Sequence, residues 1–120
     1  MNGQVDDSLR ALLEVRIRKS RVDEPVAMTV WIDTAFDGFF VFPRTAIKEL
    51  ELQQESTTDA ILADGTCVTL ESYTCFVEWF GKIVAAQVVA NEGRLPLLGT
   101  ELMANHRLVI DYADRLVSIT

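Results

Sequence analysis

The sequence predicts an all-β domain, barrel-like or sandwich-like, with two short helices. Three observations carry this. Seven or eight short runs rich in Val, Ile, Leu, Phe and Thr are separated by regular turn signals. Only two short stretches carry apolar residues at helical spacing. The chain has 120 residues, 49% of them hydrophobic, enough for one modest core without staples.

Each element follows from its own residues. Met1 to Arg10 is polar, carries Asp6 and Asp7, and is expected as a flexible N-terminus before a single domain over residues 11–120. Leu13 to Arg18 alternates apolar with charged residues, the pattern of a half-buried strand. Ser20 to Pro25 reads as a turn, and Val26 to Ile32 as the second arm of a hairpin ending at Asp33. Asp37-Gly38 signals a tight turn, followed by a short apolar strand from Phe39 to Phe42. Pro43 suits the first position of a helix whose apolar face is Ala46, Ile47, Leu50 and Leu52.

Gln53 to Asp59 is polar and reads as a connection. Asp64-Gly65 lies between Ala60-Ile61-Leu62-Ala63 and Thr66 to Leu70, the strongest hairpin signal in the chain. Cys67 to Val77 reads as a long strand and Trp79 to Lys82 as a turn. Ile83 to Ala90 is nearly all apolar, so a strand buried on both faces is expected. After Leu97-Leu98-Gly99, Thr100 reads as the N-cap of a short helix through Asn105. Leu108 to Ile110 and Leu116 to Ile119 flank Asp111 to Asp114 as a closing hairpin.

Charge and composition exclude several classes. A net charge of −7 argues against a nucleic-acid partner. The basic cluster Arg16, Arg18, Lys19 and Arg21 reads as a solvated strand face. No apolar run approaches the roughly 20 residues that span a bilayer, and the acidic N-terminus lacks a signal-peptide pattern. A soluble cytoplasmic protein is expected. Cys67 and Cys75 read as small strand residues; two thiols and the single His106 do not make a zinc site. His106 reads as a helix-end residue, and Glu14, Glu78 and Glu101 as solvated.

One ionisable residue stands out. Asp33 ends an apolar strand, where a carboxylate costs free energy to desolvate unless it is paired or working. The plain alternative is a turn-opening Asp, a role that also suits Asp37, Asp111 and Asp114. Trp31, Trp79 and the Phe36 to Phe42 cluster read as core or subsite wall.

With this layout, the chain resembles the retropepsin-like aspartic proteases, in particular small single-domain prokaryotic members. Ile32-Asp33-Thr34-Ala35-Phe36 stands at the catalytic triplet, Ala63-Asp64-Gly65-Thr66 at the flap tip, Leu97-Leu98-Gly99 at the hydrophobic-hydrophobic-Gly element, and Thr100 to Asn105 at the following helix. The match runs from about Leu12 to the C-terminus, in order. The resemblance implies a closed β-barrel with one or two short helices, one lobe per chain. It implies a homodimer without metal or cofactor, cleaving peptide or unfolded protein through Asp33 and its symmetry mate. Thr34 would bond across the axis, Leu97, Leu98 and Gly99 would pack under the Asp33 loop, the Asp64-Gly65 hairpin would cover the substrate, and the closing hairpin would supply dimer strands. The family has Gly where this chain has Ala35, whose methyl adds bulk and restricts the backbone. A second expectation therefore stays open: a catalytically silent dimer that binds peptides or serves a structural role.

Overall fold

The computed structural model describes residues 1–61 and 63–120. Leu62, counted above in the run before the Asp64-Gly65 turn, lies outside the described residues. In chain order the strands are β1 (Asn2–Val5), β2 (Ala11–Arg18), β3 (Val26–Ile32), β4 (Phe40–Pro43), β5 (Gln53–Ile61), β6 (Cys67–Trp79), β7 (Lys82–Asn91), β8 (Leu97–Leu98), β9 (Leu108–Asp111) and β10 (Leu116–Ile119). One α-helix, α1 (Arg44–Leu50), follows β4, and a 3₁₀ turn spans Thr100–Met103. The fold is all-β, as the alternation and turn signals predict.

The strands hydrogen-bond in the order β5-β6-β7-β4-β8-β3-β2-β1-β10-β9. β6 also pairs with β2 through Ile17–Val77 and Arg18–Phe76, so β2, β3, β8, β4, β7 and β6 form a closed ring. Alternation sets what the ring encloses. Leu13, Val15, Ile17, Val30, Ile32, Phe40, Phe42, Val77, Val88 and Leu98 all point inward and are buried. The Phe40 and Phe42 rings, both fully buried, meet at 5.1 Å. Two pieces extend from the ring. β5 and the first half of β6 form a ribbon, because β6 pairs with β7 only from Ser72 onward. β1, β10 and β9 continue the sheet beyond β2.

Several expectations are corrected. Met1 to Arg10 is not a free tail: Asn2–Val5 lies between β2 and β10, and Met1 exchanges backbone hydrogen bonds with Ile119. Gln53 to Asp59 is strand, not connection. Its exposed residues are polar on both faces, so it shows none of the alternation that a half-buried strand produces. β7 is buried on one face only, with Ala86, Val88 and Ala90 inward and Ala85 and Gln87 exposed. Pro43 ends β4 and serves as the residue before α1 rather than its first residue. Glu78 pairs with Arg18 at 2.5 Å and Arg16 at 3.3 Å, so neither Glu78 nor half-buried Arg18 is merely solvated.

The turn between β6 and β7 runs as expected, with Phe80 at φ 49° and Gly81 at φ 78°. Positive φ at both central residues matches the twist of a two-residue hairpin. Phe80 also stacks on His106 at 4.4 Å, which fixes His106 beyond the end of the 3₁₀ turn.

Candidate active site

Asp33 follows the last residue of β3, where the chain leaves the ring. Ile32 is buried, so the strand delivers Asp33 to the barrel rim, half-buried. The Asp33 carboxylate accepts the Ala35 N–H at 3.0 Å, and the Phe36 N–H donates to Asp33 O at 3.2 Å. The tight turn therefore spans Asp33 to Phe36, ahead of the expected Asp37-Gly38 turn, where the chain only bends at Gly38 and Phe39. Asp33 opens that turn because a short carboxylate reaches the N–H two residues on.

A second segment clasps this loop. Trp31 N–H donates to Pro96 O at 2.8 Å, and Asp33 N–H to Leu98 O at 2.9 Å. In return Gly99 N–H donates to Phe39 O at 2.8 Å, Thr100 N–H to Phe36 O at 2.9 Å, and Glu101 N–H to Gly38 O at 3.1 Å. β8 lies parallel to β3 and antiparallel to β4, wedged between the strands that enter and leave the loop. Gly99 is required by closeness. A Cβ there would run into the Gly38 carbonyl oxygen and come within 2.8 Å of the Phe36 carbonyl. The residue before the 3₁₀ turn is Gly99, not Thr100, and no side chain caps it; Thr100 instead directs its hydroxyl at Phe36 O, 3.4 Å away.

Ala35 meets this loop without strain. It is absent from the residues with positive φ, and its N–H reaches Asp33. The backbone conformation here does not call for glycine. Thr34 and Ala35 are both exposed.

Leu97, Leu98 and Gly99 thus lie against the Asp33 loop, while Ala63, Asp64, Gly65 and Thr66 lie at the tip of the separate β5–β6 ribbon, all exposed. At that tip Thr66 holds the Asp64 carboxyl below its ordinary range, through its hydroxyl and its N–H at 2.9 Å. Among the described residues, nothing lies within 4 Å of where a Cβ on Gly65, at φ 86°, would stand. The ribbon is braced at its base. Glu71 meets Arg44 at the start of α1 and the Tyr73 hydroxyl at 2.9 Å, and Arg44 also holds Glu92 at 2.6 Å. Arg44 holds the Glu71 carboxyl below the usual carboxylate range.

Solved structures share this fold. The retropepsin-like aspartic protease from Rickettsia conorii superposes with a TM-score of 0.68 at 14% identity, over 98% of this chain and 86% of that one. EIAV protease, solved with the inhibitor HBY-793, gives 0.57 at 18% identity, over 80% of this chain and 86% of its own. The fold is retropepsin-like. No protein-family model and no curated protein matches the sequence.

Within the retropepsin-like fold, sequence reasoning missed what the loop's own carbonyls do. Phe36, Gly38 and Phe39 accept the hydrogen bonds that lock the loop, and the Phe36 ring covers Gly38. The available signal was Gly38 beside two aromatics, a site where a ring needs a neighbour without a side chain.

Proposed function

We propose that this chain is a cytoplasmic aspartic endopeptidase that acts as a homodimer, with Asp33 and its symmetry mate hydrolysing peptide bonds. The observation that carries the reading is the clasped loop: Asp33 at the barrel rim, its turn fixed by backbone bonds to residues 96–101. The retropepsin-like fold supports it. The free thiols Cys67 and Cys75 fit a reducing compartment.

The chemistry follows from pairing two carboxyl groups. Amide hydrolysis needs a base to take a proton from water and an acid to protonate the carbonyl oxygen. Two carboxylates about 4 Å apart, at an effective dielectric near 20, repel by roughly 4 kcal/mol. That separates their two titrations by about three pKa units, leaving a wide range in which the pair holds one proton. The ionised member is then the base and the protonated member the acid. One Asp33 per chain forms such a pair only across a two-fold axis. In this reading Thr34 bonds across that axis, and the ribbon tip Ala63 to Thr66 closes over the substrate and excludes water.

The test is cleavage of an unfolded protein at mildly acidic pH. Asp33→Asn is expected to abolish cleavage and leave the dimer intact; undiminished cleavage would remove Asp33 from the reaction. The silent-dimer reading is separated by Ala35→Gly. Cleavage gained only in that variant would make the natural chain a silenced relative, whereas the unstrained Ala35 backbone supports activity without it.

A further inference from the structure

We propose that Phe36 is a positioning residue for the Asp33 pair: its ring, seated against Gly38 and Gly99, fixes the far end of the turn that carries the Asp33 carboxylate. This role rests on the aspartic protease reading above and names the residue that sets where the two acids stand.

Two glycines mark the ring's place. Neither Gly38 nor Gly99 has a positive φ, so the backbone conformation calls for glycine at neither. Each is glycine for room. The three atoms nearest to a Cβ built on Gly38 all belong to the Phe36 ring: Cζ, Cε1 and Cε2. A Cβ on Gly99 would lie 2.5 Å from Cδ2 of the same ring. The ring's tip therefore faces Gly38 and its edge faces Gly99, on the segment that clasps the loop.

The turn is held at both ends. Asp33 holds one through its N–H, which donates to Leu98 O at 2.9 Å. Phe36 holds the other. Its N–H donates to Asp33 O at 3.2 Å, and its O accepts the Thr100 N–H at 2.9 Å and faces the Thr100 hydroxyl at 3.4 Å. Thr34 and Ala35, between them, are exposed. Backbone hydrogen bonds at a half-exposed rim compete with water and contribute little net free energy each. The ring supplies an apolar contact for which water offers no substitute. The carboxylate depends on it, because Asp33 accepts the N–H of Ala35, the residue joined to Phe36.

The consequence appears in the proton that the pair shares. At an effective dielectric near 20, moving the two acids from about 4 Å to about 6 Å apart narrows the split between their titrations from about three pKa units to about two. The other charged groups on the segments around the loop are Asp37, Arg94 and Glu101, all exposed, and Arg10, which is paired with Asp6 and lies 5.8 Å from the Trp31 ring centroid. A change at Phe36 removes none of them.

The test is cleavage of one peptide across pH by the natural chain, Phe36→Ala and the milder Phe36→Leu. In Phe36→Ala, kcat is expected to fall at least about tenfold, because small misplacements of reacting groups cost that much or more. KM should stay within about threefold, the same bond should be cut, and the active pH range should narrow by about one unit. Phe36→Leu should lie between. Gly38→Ala alone should also impair kcat, and adding it to Phe36→Ala should impair it less, because the methyl no longer meets the ring. A Phe36→Ala chain with lower urea stability but natural kcat and pH range would overturn the positioning role. So would a loss confined to KM, or a different bond cut, either of which makes Phe36 a substrate contact. The Asp33 carboxyl carbon, titrated by NMR without substrate, should show the same narrowing; an unchanged split would overturn the role even in a chain that cleaves nothing. Undiminished cleavage by Asp33→Asn would remove the protease reading and this role with it.

Discussion

Asp33 and Asp64 make the same local structure in two unlike settings. Each opens a tight turn and accepts the N–H two residues on, from Ala35 at 3.0 Å and from Thr66 at 2.9 Å. Asp111 does the same with Ala113 at 3.0 Å. The turn bond therefore does not by itself set Asp33 apart from Asp64 and Asp111. The surroundings do. The Asp33 loop is held from the other side by Pro96 to Glu101, with no room for a methyl at Gly99. The Asp64 turn stands at the end of a two-stranded ribbon, where among the described residues a methyl on Gly65 would meet nothing. One turn is held by a second segment as well as its own strands, the other by its own ribbon alone.

The largest expected difference is in activity. Asp33→Asn should lower cleavage by at least about a hundredfold, the scale of one lost acid–base group. Asp64→Asn should stay within a few-fold, since asparagine also accepts the turn hydrogen bond. Equal losses in a peptide-cleavage assay would erase the contrast.

Stability should follow packing. Gly99→Ala must displace the Gly38 and Phe36 carbonyls and is expected to cost about 3 kcal/mol in urea unfolding. Gly65→Ala meets no neighbour among the described residues but keeps a positive φ, and should cost about 1 kcal/mol. The reverse order would mean that the loop yields more readily than its hydrogen bonds imply.

The two ends of β6 sharpen the comparison chemically. Cys67 is exposed at the ribbon end, whereas burial pushes the Cys75 thiol up to about 12 at the barrel end. A thiol reagent at about pH 8 should modify Cys67 at least about a hundredfold faster than Cys75 in the folded chain, and both alike once unfolded. The smallest effect concerns the ribbon base. Arg44 first, then Tyr73, lowers the Glu71 pKa below its unfolded value. That stabilisation is present at neutral pH and lost as pH falls through the folded pKa, below the usual carboxylate range. In Glu71→Gln, amide exchange in the ribbon should quicken slightly at neutral pH and lose this acid dependence. An unchanged profile would detach the brace from the ribbon's motion.

What was legible in the sequence was whatever changed water contact with period two. β2, β3 and β10 announce themselves because one face is buried and the other wet. β5 did not, because Gln53 to Thr57 is polar and exposed on both faces, and only its pairing with β6 makes it a strand. β1 was hidden for a related reason: four residues with only Val5 buried carry no periodic signal, and their place is decided by distant β10. Asp33 and Gly99 were legible as types at a spacing. The clasp between them was not, because it is made of backbone groups that every residue carries.

The central claim is that two copies of Asp33 act as one catalytic unit, and subunit mixing tests it most directly. Natural chain and Asp33→Asn chain are mixed in varying proportions, allowed to exchange partners, and assayed at constant total protein. If both aspartates are needed, activity falls as the square of the natural fraction, leaving about one quarter in an equal mixture. A linear fall, with about one half remaining, would mean that each chain works alone, and the pair of acids at the axis would be contradicted.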